Sequence, residues 1–315
     1  MKTLHVLNGD ASVPAFEAAE VPGDILVWRE IMSEGPVVPQ VKDEAFWEMR
    51  QQYIVQYYAE SEEAYQSKVL EVVPLLRQWH GYEELVLWFD TDLMCQINLL
   101  FLLHYIRPQH HQRITVATPA HTPVALLTEE EVQAVYAQRQ VMTTEDLSLA
   151  QQLWQAYADE SPLLLQELLY GDLAPFSFLK QALTLHFHRF PDCHTGLNQV
   201  ETLLLQLLEK GTTKKQKLMQ AIWQAAPDYG YGDKQLDLML EDLSPSLLQL
   251  SGEIVTLTAV GIKVLQGQIR LSEILAREML VGGVRLDFKS TCWCRDAVDG
   301  KVKAVNKNFD AGSAT

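Results

Sequence analysis

Four carboxylates stand where short, β-rich apolar runs give out: Asp10 after Leu4–Leu7, Glu30 after Asp24–Trp28, and Asp90 with Asp92 after Leu85–Phe89. Asn8, Trp28, Arg29, Glu34, Thr91 and Gln96 flank them. If the runs are strands of an open α/β sheet, their carboxyl ends share the crevice in which such sheets bind ligands. Carboxylates converging there repel one another unless a cation neutralises them or one keeps its proton. An all-oxygen set suits Mg²⁺ or Mn²⁺. The pattern therefore predicts metal-assisted hydrolysis or transfer on a phosphate-containing small molecule or nucleotide. In that scheme Asp10, Asp90 and Asp92 hold the metal, Glu30 is the general base, and Arg29 clamps phosphate. The competing reading makes Asp10 and Asp92 helix caps and the rest surface charge.

Other chemistries fail on spacing. Asn8-Gly9-Asp10 has a lone glycine, with no G-x-G-x-x-G and no Walker A lysine, which excludes dinucleotide and P-loop motifs. His186, His188, Cys193 and His194 cluster, but on a helix His186 and His188 point about 200° apart and cannot share a metal. Cys292-Trp293-Cys294 has one intervening residue where zinc pairs have two to four. The four cysteines are too few and scattered for a disulfide scaffold. Cys95 reads as a buried structural cysteine.

The elements that must position these residues follow from periodicity. Four apolar runs, the last at Arg113–Ala117, alternate with helical segments at Asp43–Glu60, Glu62–Trp79 and Asp92–Ile106, as a buried parallel sheet requires. Residues 1–127 are expected to form an α/β domain with a short open parallel sheet. Residues 128–192 read as all-helical, opened by Thr128 and Thr143/Thr144 as N-caps followed by acids. Residues 193–296 read as a winged-helix-like domain with a closing segment, because three helices precede a two-stranded hairpin. Residues 297–315 have little to bury and read as a disordered tail.

The 315 residues carry 25 Lys+Arg against 41 Asp+Glu, a net charge of -16, and residues 1–160 alone hold -15 of it. That half repels nucleic-acid phosphates. The candidate recognition helix, Asp233–Leu243, has four acids and one lysine, which opposes DNA and favours a protein partner. Lys214, Lys215 and Lys217 are the only basic cluster. No apolar stretch approaches the ~20 residues of a membrane span, and no secretory leader is legible. A cytoplasmic protein is expected.

His5–Asp10, Leu26–Glu30 and Glu34-Gly35-Pro36, with Leu87–Leu93 and Cys95-Gln96, resemble the bacterial family called domain of unknown function 1835. His186, Arg189-Phe190-Pro191, Gly196-Leu197 and Glu201 resemble its junction, and Leu257-Thr258, Gly261, Gly282-Gly283-Val284 and Trp293 its closing segment. The resemblance implies a location, since the family has no established activity: Asn8, Asp10, Trp28, Arg29, Glu30, Glu34, Asp90, Asp92 and Gln96. Asp90 stands where the family often has Glu. The alternative to an enzyme is a non-enzymatic regulator whose α/β domain senses a ligand and whose winged helix meets a partner protein.

Overall fold

The computed structural model describes residues 2–109, 111–211, 213–287 and 292–305. Two compact units divide the chain, one of residues 1–159 and 171–182, the other of residues 160–170 and 183–315. Among the described residues no helix is long and apolar enough to cross a membrane.

Five strands build the first unit: β1 (Thr3–Asn8), β2 (Asp24–Trp28), β3 (Glu84–Trp88), β4 (Arg113–Ala117) and β5 (Gln140–Val141). Their order is β2-β1-β3-β4-β5, the first four parallel and β5 antiparallel to β4. The chain leaves β1 for β2 on one side and returns past β1 to β3 on the other. The switch point therefore lies between β1 and β3, with Asn8 beside Trp28 and Leu7 beside Trp88 in register. β3 is buried along its whole length, which is why its sequence does not alternate.

Helix α1 (Val13–Ala18) and α4 (Glu129–Ala137) cover one face, packing Phe16 and Val132 with Leu7, Val86, Trp88 and Ala117. α2 (Asp43–Tyr58), α3 (Leu93–Tyr105) and α5 (Thr144–Tyr157) form a second core through Trp47, Phe101 and Trp154. α3 is apolar nearly all round and buried on every side but one, as a central helix must be. The capping boxes at Thr128/Glu131 and Thr143/Asp146 start α4 and α5.

The division corrects the expected boundary at 127. Residues 128–159 are not a separate helical segment: β5 joins the sheet, and α5 packs on α3 and donates from Trp154 Nε1 to Val38 O at 3.2 Å. Periodicity alone cannot show which core an amphipathic helix joins.

In the second unit, α6 (Leu163–Leu169) is followed by α7 (Leu179–Phe187), within which the division of the chain falls. Then come α8 (Gln199–Glu209), β6 (Thr213–Lys214), α9 (Lys215–Ala225), α10 (Asp233–Leu243), β7 (Leu248–Ser251), β8 (Ile254–Leu257) and α11 (Ala259–Leu265). β6 pairs with β8, and β8 with β7, all antiparallel. Buried Arg277 binds Glu201 of α8 at 2.7 and 3.0 Å and Asp242 of α10 at 2.6 Å, tying the two helices together.

Two further hairpins close the unit: β9 (Glu278–Val281) with β10 (Val284–Asp287), and β11 (Cys292–Arg295) with β12 (Val302–Val305). The expected tail is therefore ordered at Val302–Val305, because β12 finds a partner strand; residues 306–315 lie outside the described ones. Cys193 and Cys294 form a disulfide across 101 residues, a pairing that spacing could not reveal. Among the described residues no metal-ligand group forms around His186, His188 and His194.

Buried histidines make the fold acid-sensitive. Trp88 Nε1 donates to His5 Nδ1 at 3.1 Å and His5 Nε2 meets Pro22 O at 3.2 Å, so the ring is neutral with its proton on Nε2. Burial pushes His5 and His104 below the ordinary range, His104 to about 4, and does the same to His186 and His188. Such groups stabilise the fold fully above about pH 6.5 and lose that contribution as pH falls towards the folded value. The melting temperature should drop between pH 7 and 5. His104→Phe, which keeps the stack on Trp154 and removes an unpartnered buried Nδ1, should flatten the fall; an unchanged slope would contradict this assignment.

Candidate functional site

β1 ends in Asn8 and Gly9, whose φ of 88° is left-handed and whose amide bonds Trp28 O at 2.9 Å. This turn puts Asp10 on the surface opposite Arg29, which grips it through both oxygens at 2.8 and 2.7 Å. The guanidinium holds Asp10 below the ordinary carboxylate range.

Glu30, one residue on, turns inward. Its Oε1 accepts from Arg50 Nε at 3.2 Å and from the Tyr65 hydroxyl; Oε2 accepts from Arg50 at 2.6 Å and from Ile31 N at 2.8 Å. Both side chains of the Glu30–Arg50 pair are wholly buried. Arg50 also donates to the carbonyls of Glu34, Ile31 and Pro36, and so clasps the loop after β2. Gly35 lets that loop turn: its φ is 73°, and a Cβ there would run into the Tyr53 ring.

The end of β3 is different. Asp90 Oδ1 accepts from Val124 N at 2.9 Å, and its carbonyl accepts from Gln96 Nε2 at 2.7 Å. Asp92 caps α3, accepting from Cys95 N at 2.9 Å. The ligand atoms of Asp90, Asp92 and Cys95 lie within 4.8 Å of one another, the one such group among the described residues. Burial, with the neighbouring Asp92 charge, pushes Asp90 up to about 6 and outweighs the Val124 bond. Burial also raises Asp92 and holds the Cys95 thiol well above its ordinary value. Cys95 is a buried cysteine, as expected, and its sulfur accepts from Asn8 Nδ2 at 2.9 Å.

Asn98 joins the strand ends. Its Nδ2 donates to Asn8 Oδ1 at 2.9 Å and to Glu30 O at 2.7 Å, while its Oδ1 accepts from Met32 N at 2.8 Å. A cavity of about 220 Å³ opens beside Gln96, at the carboxyl end of β4, lined also by Thr118, Gln138 and Phe176.

The nominated residues thus part into three groups. Asp90 and Asp92 converge; Asp10 and Arg29 satisfy each other at the surface; Glu30 is locked to Arg50. With every lone-pair direction taken and no exposure, Glu30 cannot serve as the expected general base. Asp10 does not join the Asp90–Asp92 group. Trp28 lies in the core, stacked on Phe101 at 5.8 Å, and not in an open pocket. Glu34 contributes its carbonyl to Arg50, and Thr91 is half-buried between the two aspartates. Arg50, Tyr65 and Asn98 were missed. Of the three, only Asn98 left a legible signal, as the single Asn in the apolar run Ile97–Leu103.

No family model matches the chain. No curated protein matches it either. Among solved structures, the chain is similar to the Plasmodium falciparum topoisomerase II DNA-binding, cleavage and re-ligation domain, with a TM-score of 0.43 and 9% identity. The match covers 96% of this chain and 54% of that one, and at that TM-score it carries no argument.

The two ion pairs should respond very differently to neutral isosteres. Glu30→Gln leaves a buried guanidinium uncompensated and should cost about 3–5 kcal/mol. Asp10→Asn breaks an exposed pair and should cost about 0–1 kcal/mol. Urea unfolding of the two variants measures both, and equal losses would contradict the division into structural and surface carboxylates.

Proposed function

We propose that the first unit binds a phosphate-containing small molecule or nucleotide with a divalent cation, Mg²⁺ or Mn²⁺, at the switch point between β1 and β3, for hydrolysis or transfer. The observation that carries this reading is the Asp90 carboxyl. It is half-buried, lies within reach of Asp92, has no bond to its second oxygen among the described residues, and is pushed up to about 6 by burial and the Asp92 charge. A half-buried acid held so close to neutrality in a strand-end crevice is costly to the fold and suited to a cation that would relieve it. Asp90 and Asp92 take the cation. The thiol of Cys95 stays protonated beside them and orients Asn8.

Neighbouring strands lie about 4.8 Å apart, so a ligand lying across the end of β1 spans about 10 Å from Asp90 to Arg29. Arg29 exchanges the exposed Asp10 for phosphate, a stronger bidentate acceptor. Gln96 faces the adjoining cavity and positions the rest of the molecule. The resemblance to the domain of unknown function 1835 supports the location, because its signature residues fall on these strand ends. With Glu30 withdrawn into the core, no second base is assigned. Ligand sensing without turnover uses the same contacts.

A second reading concerns the second unit. The order of α8 to β8, with β6 added to the β7–β8 hairpin, supports a winged-helix module. Asp233, Glu241 and Asp242 on α10 are exposed, and Lys215 is drawn onto Asp237 at 2.6 Å. That surface favours a protein partner over a duplex. Duplex binding that fell steeply with salt in a gel-shift assay would reverse the preference.

The cation reading is tested by thermal shift with Asp90→Asn. An acid raised in the fold destabilises it above its folded value, and that cost is absent below its unfolded value. Metal-free Asp90→Asn should therefore melt above the wild type at pH 7.5 and level with it near pH 4. Mn²⁺ at about 100-fold its Kd should add about 2.7 kcal/mol to the wild type and nothing to the variant. An equal Mn²⁺ response in both would overturn the assignment.

A further inference from the structure

The opposite end of the same sheet carries a second cavity, of about 820 Å³, within the range of small-molecule sites. Its floor is apolar, from Ile106, Ile114, Met142 and Leu147. One wall is a face of α5, where Thr144, Ser148 and Gln151 recur at helical spacing, with no partner for their side chains among the described residues. The other wall is the segment that enters β4, with Arg107, His111 and Arg113. Buried Gln112 braces that segment: its Nε2 donates to Trp79 O at 3.1 Å and Tyr82 O at 2.9 Å, and its Oε1 accepts from Gln109 N at 3.0 Å.

Charge sets this cavity apart from the rest of an acidic unit. Arg29 and Arg50 each have their own carboxylate, and Arg113 shares one, Glu84, with Arg139, which lines the cavity at the carboxyl end of β4. Arg107 has none among the described residues; its guanidinium donates only to the carbonyls of His104 and Ile106. Of the acids nearby on α5, Asp146 is turned back onto Thr143 N at 2.9 Å, and Glu145 is exposed in the first turn. One arginine with no carboxylate, a second that shares its carboxylate, hydroxyl and amide side chains without a protein partner among the described residues, and an apolar floor match one kind of molecule. We infer that this cavity binds a small organic anion, its phosphate or carboxylate held by Arg107 and Arg113 and its apolar body lying on Ile106, Ile114, Met142 and Leu147.

The site is independent of the proposed cation centre, which lies at the carboxyl ends of the strands. The two are separated by titrating the full chain calorimetrically in EDTA, with AMP and octanoate as the phosphate and carboxylate probes, adenosine and octanol as their neutral counterparts, and inorganic phosphate alone. AMP or octanoate should bind with submillimolar affinity and its neutral counterpart at least tenfold more weakly; whichever of the two binds names the head group. Ser148→Glu, at an exposed position that should tolerate it, and Arg107→Gln should each weaken binding at least tenfold, while Asp90→Asn should leave it unchanged. No binding of any anion at millimolar concentration would overturn the inference. So would binding that survives both Ser148→Glu and Arg107→Gln.

Discussion

The loop after β2 is buried, and a buried loop has to find partners for every amide and carbonyl it takes out of water. Met32, Ser33 and Val37 all lie inside the first unit. Their neighbours in the chain are met by side chains reaching in from three helices. Arg50 on α2 takes three carbonyls, Asn98 on α3 takes the Glu30 carbonyl and the Met32 amide, and Trp154 and Tyr157 on α5 donate to Val38 O and Met32 O. Glu30 supplies the charge that lets Arg50 be buried at all. Remove that demand, and α2, α3 and α5 lose their common fastening to the sheet.

The same constraint decides which carboxylates are left for chemistry. Glu30 is consumed in holding the loop, and its neighbour Arg29 is thereby pointed outward to meet Asp10. Asn98 carries the fixation across to Asn8, and Asn8 to Cys95, so the end of β1 and the start of α3 are set against each other by a chain of amides and one thiol. Asp90 and Asp92 sit where that chain ends. Their environment is polar enough to hold them in place and too dry to ionise both cheaply. That combination, and not the number of acids, distinguishes them from the other carboxylates of a strongly acidic chain.

Much of this was legible in the sequence. Near-continuous apolar runs such as Leu85–Phe89 marked buried parallel strands, and the acids that follow them were correctly placed at the strand ends. Thr128 and Thr143 announced their helices because capping is a local matter. What could not be read was long-range. Arg50 lies 20 positions from Glu30, and nothing local separates an inward-facing arginine from the surface cations of an amphipathic helix. The disulfide, the joining of α5 to the first unit and the strand at Val302–Val305 were missed for the same reason. Each depends on a partner distant in sequence. The three groups into which the nominated residues part reflect one limit of pattern reading, which sees that residues share a strand end but not which way each side chain turns.

On the reading proposed above, Asp90 and Asp92 form a cation site. Crystals of the protein soaked in Mn²⁺, with diffraction recorded where manganese scatters anomalously, would locate the ion. A single anomalous peak within about 2.0–2.3 Å of carboxylate oxygens of both Asp90 and Asp92, lost in Asp90→Asn, is the expected result. Anomalous density elsewhere on the acidic surface, with none between these two residues, would contradict it.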